Sequence, residues 1–212
     1  MEYAIEVYTD GSRSENGVGS GVAIFINKHL TFQLQYKLAE RCSNNQAEQL
    51  AIVKALQKVK GFDQLQGNQR SVAIHTDSRI SLDAIANPSN HQNLVERIRE
   101  EIRSLENDNW IIHFTWVKAH NGNYGNEIAD HLAKEAACGS DVDIAYTKIP
   151  KSAVTSELKE KGLETWQREW DASKKGALTK TFSPSVKDRI AKRLQMCINF
   201  STIVTGDGKL RA

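Results

Sequence analysis

Two apolar segments of the sequence end in the same short motif, a threonine followed by an aspartate and a small residue. The two motifs are Thr9-Asp10-Gly11 and Thr76-Asp77-Ser78. Ligands of α/β sheets gather at the carboxyl ends of the strands. Two aspartates that follow two strands in this way are therefore expected to meet at one edge of a sheet.

Two further carboxylates can reach the same edge from helices. Glu48 is expected in the first turn of one helix and Asp130 in the second turn of another. Each of the four acids taken singly also has an ordinary explanation as a turn former, a helix-start residue, an N-cap or part of an exposed face. Four convergent carboxylates, however, repel one another unless a cation neutralises them, and oxygen ligands without Cys or His select Mg²⁺ or Mn²⁺. Two such ions about 4 Å apart suit phosphodiester cleavage.

Hydrophobic periodicity predicts the elements that position these acids. Strands are predicted at about 3–9, 22–26, 32–38, 72–74 and 110–117, and helices at about 78–86, 94–105 and 126–137. A further helix is expected between a cap at Asn44 or Asn45 and a stop at Gly61, and Asp10-Gly11 is a turn signal. The order β-β-β-α-β-α-α-β-α predicts an α/β fold, in which a mixed sheet carries helices on its faces.

The composition is that of a globular intracellular protein. Of the 212 residues, 40% are hydrophobic and 25% are charged. No apolar run approaches the roughly 20 residues that cross a bilayer, and the first residues do not resemble a signal peptide, so we expect neither a membrane partner nor export. The three cysteines, Cys42, Cys138 and Cys197, have no metal-ligand spacing and are expected to be reduced thiols.

Charge divides the chain into two parts. Residues 1–140 hold 14 basic and 17 acidic residues, a net charge of −3, whereas residues 141–212 hold 14 and 9, a net charge of +5. We predict a catalytic domain at 1–140 and a basic helical C-terminal extension at 141–212. Within the extension, Ser183-Pro184 is the predicted start of a helix with an apolar face formed by Val186, Ile190, Leu194 and Ile198.

Four ordered segments resemble the type 1 RNase H family. They are Tyr8-Thr9-Asp10-Gly11-Ser12, Asn44-Asn45-Gln46-Ala47-Glu48, His75-Thr76-Asp77-Ser78 and Trp116-Val117-Lys118-Ala119-His120 running on to Gly125-Asn126-Glu127-Ile128-Ala129-Asp130. The resemblance covers about residues 3–138. It implies an RNase H-like fold with a five-stranded mixed sheet flanked by helices. It also implies hydrolysis of the RNA strand of RNA·DNA hybrids to a 5′-phosphate and a 3′-hydroxyl.

The same resemblance assigns roles to single residues. Asp10 would bridge two Mg²⁺ ions, Asp130 would complete one site, and Glu48 and Asp77 the other; Mn²⁺ is expected to substitute. His120 would lie on a flexible loop and assist proton transfer and product release. Five further residues would bind the nucleic acid: Asn16, Ser43, Asn44, Asn45 and Gln46. The asparagines would contact the minor groove of the hybrid, and Ser43 with Asn16 would lie beside a DNA phosphate.

The sequence departs from the family pattern at two places. Family members often have Gln two residues after the third carboxylate, but this chain has Arg79, which puts a minor-groove contact there in doubt. The segment 87–93 is short and lacks the lysine-rich protrusion by which some cellular members hold hybrid. We therefore expect the catalytic domain to bind its substrate weakly on its own.

The C-terminal part resembles the sequence that follows RNase H in polyproteins of jockey-like non-LTR retrotransposons. The resemblance lies in Trp166, Trp170, Lys175-Gly176, Leu194 and Thr205-Gly206-Asp207-Gly208. It implies a larger protein with a reverse transcriptase domain upstream, in which Met1 would be a product of excision.

Three alternatives stay open at this point. A free-standing cellular RNase H would perform the same chemistry, but it needs no such extension. A connection or binding domain of the same fold would be expected to lose carboxylates, whereas this sequence keeps all four and the histidine. A transposase or exonuclease of the same fold would require a different spacing of its acids.

Overall fold

The structure is a computed structural model that describes residues 3–62, 70–119, 121–139, 143–192 and 203–204. The chain divides into two units, Met1–Pro150 and Lys151–Ala212. Among the described residues, no helix combines the length and the apolar character needed to cross a membrane.

A mixed sheet forms the centre of the first unit, as predicted. Its strands are β1 (Ile5–Ser14), β2 (Gly17–Ile26), β3 (His29–Leu38), β4 (Ser71–Thr76), β5 (Ile111–Trp116) and β6 (Ile144–Tyr146), in the order β5-β4-β1-β2-β3-β6. Strands β1 to β3 pair antiparallel, and β4 pairs parallel with both β1 and β5. The predicted five-strand count was wrong, because a sixth strand pairs parallel with β3.

Strand β6 is too short to be recognised by an alternating pattern. It lies beyond residue 140, where the sequence placed the end of the first domain, but it pairs with β3 of the first unit. The backbone N–H of Ala39 donates to the carbonyl of Tyr146 at 2.9 Å. The Tyr146 side chain is only 6% exposed, and its hydroxyl donates to Oδ1 of Asn93 at 3.3 Å. Residues 144–146 thus belong to the sheet of the first unit, and Tyr146 packs into its core.

Four helices flank the sheet: α1 (Asn44–Lys60), α2 (Arg79–Ala86), α3 (Asn93–Asn107) and α4 (Tyr124–Cys138). The predicted cap of α1 at Asn44 or Asn45 was wrong, because Ser43 is the N-cap. Ser43 Oγ accepts from the Gln46 N–H at 3.2 Å, and Gln46 Oε1 accepts from the Ser43 N–H at 3.0 Å. This reciprocal capping box gives side-chain acceptors to two backbone donors at the start of the helix.

The predicted turn at Asp10-Gly11 was also wrong. Strand β1 continues through both residues, with Asp10 opposite Gly21 and Gly11 opposite Ser20. A side chain at position 11 would overlap the backbone nitrogen of Glu48. The glycine therefore allows α1 to approach the sheet closely, and this approach brings Glu48 to Asp10.

The glycines of β2 serve the same purpose on the other face of the sheet. Cβ atoms added at Gly19 and Gly21 would overlap the carbonyl oxygens of Ala133 and Ala129 in α4. Small residues on both sides let the helix backbone lie directly on the strand. The distance between α4 and the sheet is thereby fixed, and with it the position of Asp130.

The second unit is helical, as expected for the extension, with α5 (Lys151–Ala172), α6 (Ala177–Phe182) and α7 (Val186–Ala191). The predicted start of the last helix at Ser183-Pro184 was wrong by two residues, because Ser185 is the N-cap and accepts from the Asp188 N–H at 3.1 Å. The Trp170 indole donates to the Ser183 carbonyl at 3.2 Å, which joins α5 to the segment before α7. Leu194, Ile198 and 205–208 lie outside the described residues.

Candidate active site

Asp10 and Asp77 come from neighbouring parallel strands. Thr9 lies opposite Thr76 in the pairing of β1 with β4, so the residues that follow them lie side by side at the carboxyl end of β4. Asp10 is 6% exposed. The sequence prediction that the two Thr-Asp motifs meet at one edge of the sheet is therefore confirmed.

Glu48 reaches the two aspartates from the first turns of α1. One carboxylate oxygen from each of Asp10, Glu48 and Asp77 lies within 4.8 Å of the other two. Glu48 is 5% exposed, and its Oε2 atom is buried without a hydrogen-bond partner among the described residues. A buried carboxylate oxygen is costly to leave unpaired.

The cluster strongly disfavours three simultaneous negative charges. Burial raises the pKa of Asp10 to about 7, and the charge of Asp77 adds to the effect. The Gly11 N–H, which donates to Asp10 Oδ1 at 2.8 Å, acts in the opposite direction. Burial also raises the pKa of Glu48 well above its usual value, with further contributions from the charges of Asp10 and Asp77.

These properties fit a divalent cation. The three acids offer hard oxygen donors, no Cys or His belongs to the group, and one buried oxygen lacks a partner. A cation would satisfy that oxygen and offset both the burial of the charges and their mutual repulsion, the two causes of the raised pKa values. Asp10, Glu48 and Asp77 are the residues that would hold it.

Asp130 is near this group but is not part of it. It lies in the second turn of α4, as predicted, and its Oδ2 accepts from Lys134 Nζ at 2.6 Å. Its negative charge contributes to the raised pKa of Asp10, although less than burial and Asp77 do. Any cation that uses Asp130 must therefore compete with the Lys134 ammonium.

His120 lies outside the described residues, so its role stays a prediction. The residues that follow it are ordered by Asn123, the N-cap of α4. The Asn123 side-chain oxygen accepts from the N–H groups of Gly125 at 3.1 Å and Asn126 at 3.4 Å. Residues 121–123 thus lead directly into the helix that carries Asp130.

The predicted nucleic-acid-binding residues differ in their surroundings, and their role stays a prediction. Asn44 and Asn45 are exposed in the first turn of α1. Gln46 is engaged within the protein, because its Nε2 donates to the Lys148 carbonyl at 3.0 Å while its Oε1 serves the capping box with Ser43. The side-chain amide of Asn16 lies 3.8 Å from the sulfur of Cys138.

Sequence analysis assigned no role to two residues that form hydrogen bonds with Asp77 and Asp130. Trp116 Nε1 donates to the backbone carbonyl of Asp77 at 2.9 Å, and Lys134 pairs with Asp130. The spacing of four residues between Asp130 and Lys134 was a usable signal, since such pairs face each other on a helix. Nothing in the sequence around Trp116 indicates a bond to Asp77, which follows β4, 39 residues earlier in the chain.

Fold and site together define the first unit as an α/β domain with a buried cluster of three acids at the carboxyl end of β4, whose oxygens could hold a metal ion. The sequence model of the RNase H family matches residues 2–138. Ribonuclease H of Treponema denticola is 30% identical over 158 residues, which cover 62% of this chain and 96% of that protein. The chain therefore belongs to the RNase H family, and it is an enzyme of the ribonuclease H type.

Two solved structures share the fold. The N-terminal RNase H domain of a Mycobacterium tuberculosis protein aligns with a TM-score of 0.50 and 17% identity, covering 72% of this chain and 97% of that chain. A foamy viral protease-reverse transcriptase in complex with double-stranded DNA aligns with a TM-score of 0.50 and 24% identity, covering 64% of this chain and 95% of that chain.

Proposed function

We propose that this protein hydrolyses the RNA strand of RNA·DNA hybrids and leaves a 5′-phosphate and a 3′-hydroxyl. The observation that carries the proposal is the buried group of Asp10, Glu48 and Asp77 at the carboxyl end of β4. Membership of the RNase H family supports the choice of substrate.

The proposed cofactor is Mg²⁺, bound as two ions, with Mn²⁺ able to substitute. Asp10, Glu48 and Asp77 would hold one ion, and Asp10 with Asp130 would hold the other. When bound, such a pair supplies an activated water and stabilisation for the leaving oxygen. Within the chain, Lys134 must release Asp130, and His120 is proposed to carry a proton to the leaving 3′-oxygen.

The proposed hybrid-binding surface begins at the N-terminus of α1. Asn44 and Asn45 are exposed there, four and three residues before Glu48, where they can contact the 2′-hydroxyls of the minor groove. Ser43 and Asn16 are proposed to lie beside a phosphate of the DNA strand. Gln46 would have to exchange its bond to Lys148 for one to the hybrid, so its contribution is expected to be the smallest of the five.

We further propose that the enzyme serves the reverse transcription of a retroelement, with a reverse transcriptase domain upstream. The second unit, which lies beyond the residues matched by the family, supports this proposal. The foamy viral structure is an example of the same fold within a protease-reverse transcriptase. A free-standing RNase H is the second candidate, because this chain covers 96% of the bacterial Ribonuclease H that it matches.

The test is cleavage of a labelled hybrid in Mg²⁺ by the unaltered protein, Asp10→Asn and Asp83→Asn. Asp83 is an exposed carboxylate on α2, so its substitution is a matched control. We expect cleavage of the RNA strand only, lost in Asp10→Asn and retained in Asp83→Asn. Ca²⁺ should bind without supporting turnover, because its looser coordination spoils the spacing of the ions.

Three outcomes would contradict the proposal. They are equal cutting of single-stranded RNA or duplex DNA, full activity of Asp10→Asn, and turnover in Ca²⁺ comparable to that in Mg²⁺. The last result would reject the two-ion mechanism while leaving the substrate assignment intact.

A further inference from the structure

Beside the acidic group, the side chain of Arg79 stacks on the ring of Trp116. The guanidinium carbon lies 3.9 Å from the ring centroid. Arg79 is exposed, and the Trp116 side chain is 39% exposed. Within the part of the chain that the structure describes, no carboxylate or carbonyl accepts a hydrogen bond from this guanidinium.

The stacked pair is fixed to one of the proposed metal ligands. The backbone carbonyl of Asp77 accepts from Trp116 Nε1 at 2.9 Å and from the backbone N–H of Arg79 at 3.2 Å. Trp116 is also held by the pairing of β5 with β4, in which it lies opposite Thr76. These contacts hold the stacked guanidinium near the backbone of Asp77.

Another arginine of the same unit shows what a purely structural role requires. Arg99 is largely buried, donates to the carbonyls of Ala84, Ile85 and Asn90, and pairs with Glu96 at 2.9 Å. Its donors are used within the protein. The donors of Arg79 instead face solvent, on a guanidinium whose orientation is set before any ligand arrives.

Such a guanidinium suits a phosphate. Its fork of N–H donors matches two phosphate oxygens, and stacking on an aromatic ring leaves the donor edge available. A cation at this position also offsets the repulsion between a polyanion and the carboxylates. A phosphate contact carries no sequence information, which suits an enzyme that acts along a strand.

We propose that Arg79, held on Trp116, binds a backbone phosphate of the nucleic-acid strand that enters the acidic group. This inference rests on the proposed function, since it names a further contact to the same substrate. Trp116 is a positioning residue in this arrangement, because it acts through Arg79 and Asp77.

The test compares Arg79→Gln, Arg79→Lys and Arg103→Gln in the full chain. Arg103 is an exposed arginine near the end of α3. This helix leads to the start of β5, which lies beside the first residue of β4, whereas Asp77 follows the last; Arg103→Gln removes the same charge as Arg79→Gln. Affinity for a hybrid would be measured in Ca²⁺ at several salt concentrations. Cleavage in Mg²⁺ and thermal unfolding would be measured beside it.

We expect Arg79→Gln to weaken hybrid binding about 5- to 20-fold and to reduce the slope of log affinity against log salt by about 1. Arg79→Lys should keep the slope, because the charge remains, but lose part of the affinity, because an ammonium lacks the fork. Arg103→Gln should change neither quantity. Unfolding temperatures of the three variants should agree with that of the unaltered protein.

Two results would overturn the inference alone: an Arg79→Gln variant with unchanged affinity and slope, or the same losses in Arg103→Gln. Unchanged affinity with altered metal binding by calorimetry would also overturn it, because Arg79 would then act on Asp77 rather than on substrate. If the unaltered protein neither binds nor cuts hybrid while its metal binding is intact, the proposed function fails, and the inference fails with it.

Discussion

The two units of this protein differ in how many of their helical residues are buried. In the first unit, ten of the 17 residues of α1 are buried, whereas none of the 22 residues of α5 is buried in the second. Leu158 and Trp166 of α5 are 66% and 52% exposed. The first unit encloses a continuous core, and the second leaves much of its apolar surface uncovered.

This difference bears on where the chemistry lies. Buried carboxylates repel one another and lose hydration, so a rigid frame is needed to keep them together. The core of the first unit provides such a frame under Asp10, Glu48 and Asp77. Among the described residues no comparable acidic group is found in the second unit. We therefore expect catalysis to depend on the first unit alone and affinity to depend on both.

The sharpest test of this comparison combines truncation with the loss of one acid. A chain ending after Pro150 should cleave bound hybrid as fast as the full chain does. Asp77→Asn in the full chain should instead lower turnover about 1,000-fold, because it removes a charged metal ligand. Single-turnover rates at saturating enzyme measure cleavage alone, without the contribution of affinity. A truncated chain that folds and binds but does not cut would show that the second unit takes part in catalysis.

His120→Ala should lower turnover by about 10- to 1,000-fold, the usual scale for the loss of an assisting acid or base. Metal binding, measured by calorimetry, should be unchanged, because the three clustered acids remain. His91→Ala is a suitable control, since His91 is exposed and its ring pairs with Glu96 at 2.9 Å, away from the three acids. Equal single-turnover rates for His120→Ala and His91→Ala would make His120 an ordinary surface residue.

The boundary between the units predicts a loss of stability when it is moved. A chain ending at Ser140 lacks β6 and would expose the edge of β3 that Tyr146 covers. Removing this buried aromatic residue should lower the free energy of unfolding by about 3–5 kcal/mol relative to the chain ending at Pro150. Urea titration of both fragments measures the difference. Equal midpoints would show that β6 does not contribute to the fold of the first unit.

The raised pKa values predict a smaller effect on stability without metal. A carboxyl group whose pKa is raised on folding stabilises the fold below its unfolded pKa, and this stabilisation is lost as the pH rises through the folded value. For Asp10 the window runs from its ordinary value to about 7. At pH 8 without metal, Asp10→Asn should therefore be more stable than the unaltered protein, by roughly 1–3 kcal/mol.

The advantage of Asp10→Asn should shrink as the pH falls below about 7, because Asp10 then becomes protonated in the folded state and no longer carries a buried charge. Added Mg²⁺ should reverse the order at pH 8, since only the unaltered protein binds it tightly. Chemical denaturation at pH 5 and 8, with and without Mg²⁺, provides the measurement. A stability difference that does not depend on pH would mean that folding does not raise the pKa of Asp10.

The sequence predicted correctly the features of this structure that depend on residues adjacent in the chain. Thr9-Asp10 and Thr76-Asp77 indicated the acidic site correctly, although only β4 ends there: Thr9 lies opposite Thr76 in the parallel pair of β1 and β4, so the two aspartates that follow are neighbours. The turn at Asn27-Lys28 is equally local, with both residues at positive φ between β2 and β3.

The errors arose where distant residues decide the local structure. Asp10-Gly11 has the composition of a turn, but the glycine is required by the approach of Glu48, 37 positions along the chain. Ser43 rather than Asn44 caps α1, because Gln46 completes its capping box. Strand β6 depends on pairing with β3, more than 100 residues earlier, and its three residues carry no pattern of their own.

The smallest expected effect concerns the charge of the second unit. Lys187 and Lys192 are exposed in and just after α7, and no ion pair neutralises either of them within the described residues. Lysines so placed can meet phosphates, and each neutralised phosphate adds about 0.9 to the slope of log affinity against log salt on B-form DNA. The alternative is that this helix only docks, through the buried Val186, and that its charges are solvated.

A double substitution in the full chain separates these alternatives without truncation. Lys187→Gln with Lys192→Gln should weaken hybrid binding a few-fold and lower the salt slope by about 1 to 2, if both residues meet phosphates. Lys159→Gln with Lys161→Gln removes the same charge from exposed positions of α5 and is the matched control. Equal changes in both pairs would show that net charge alone matters. If neither pair of substitutions nor truncation after Pro150 changes the slope of log affinity against log salt, the second unit does not bind phosphates. Its exposed apolar residues would then be expected to dock on another surface.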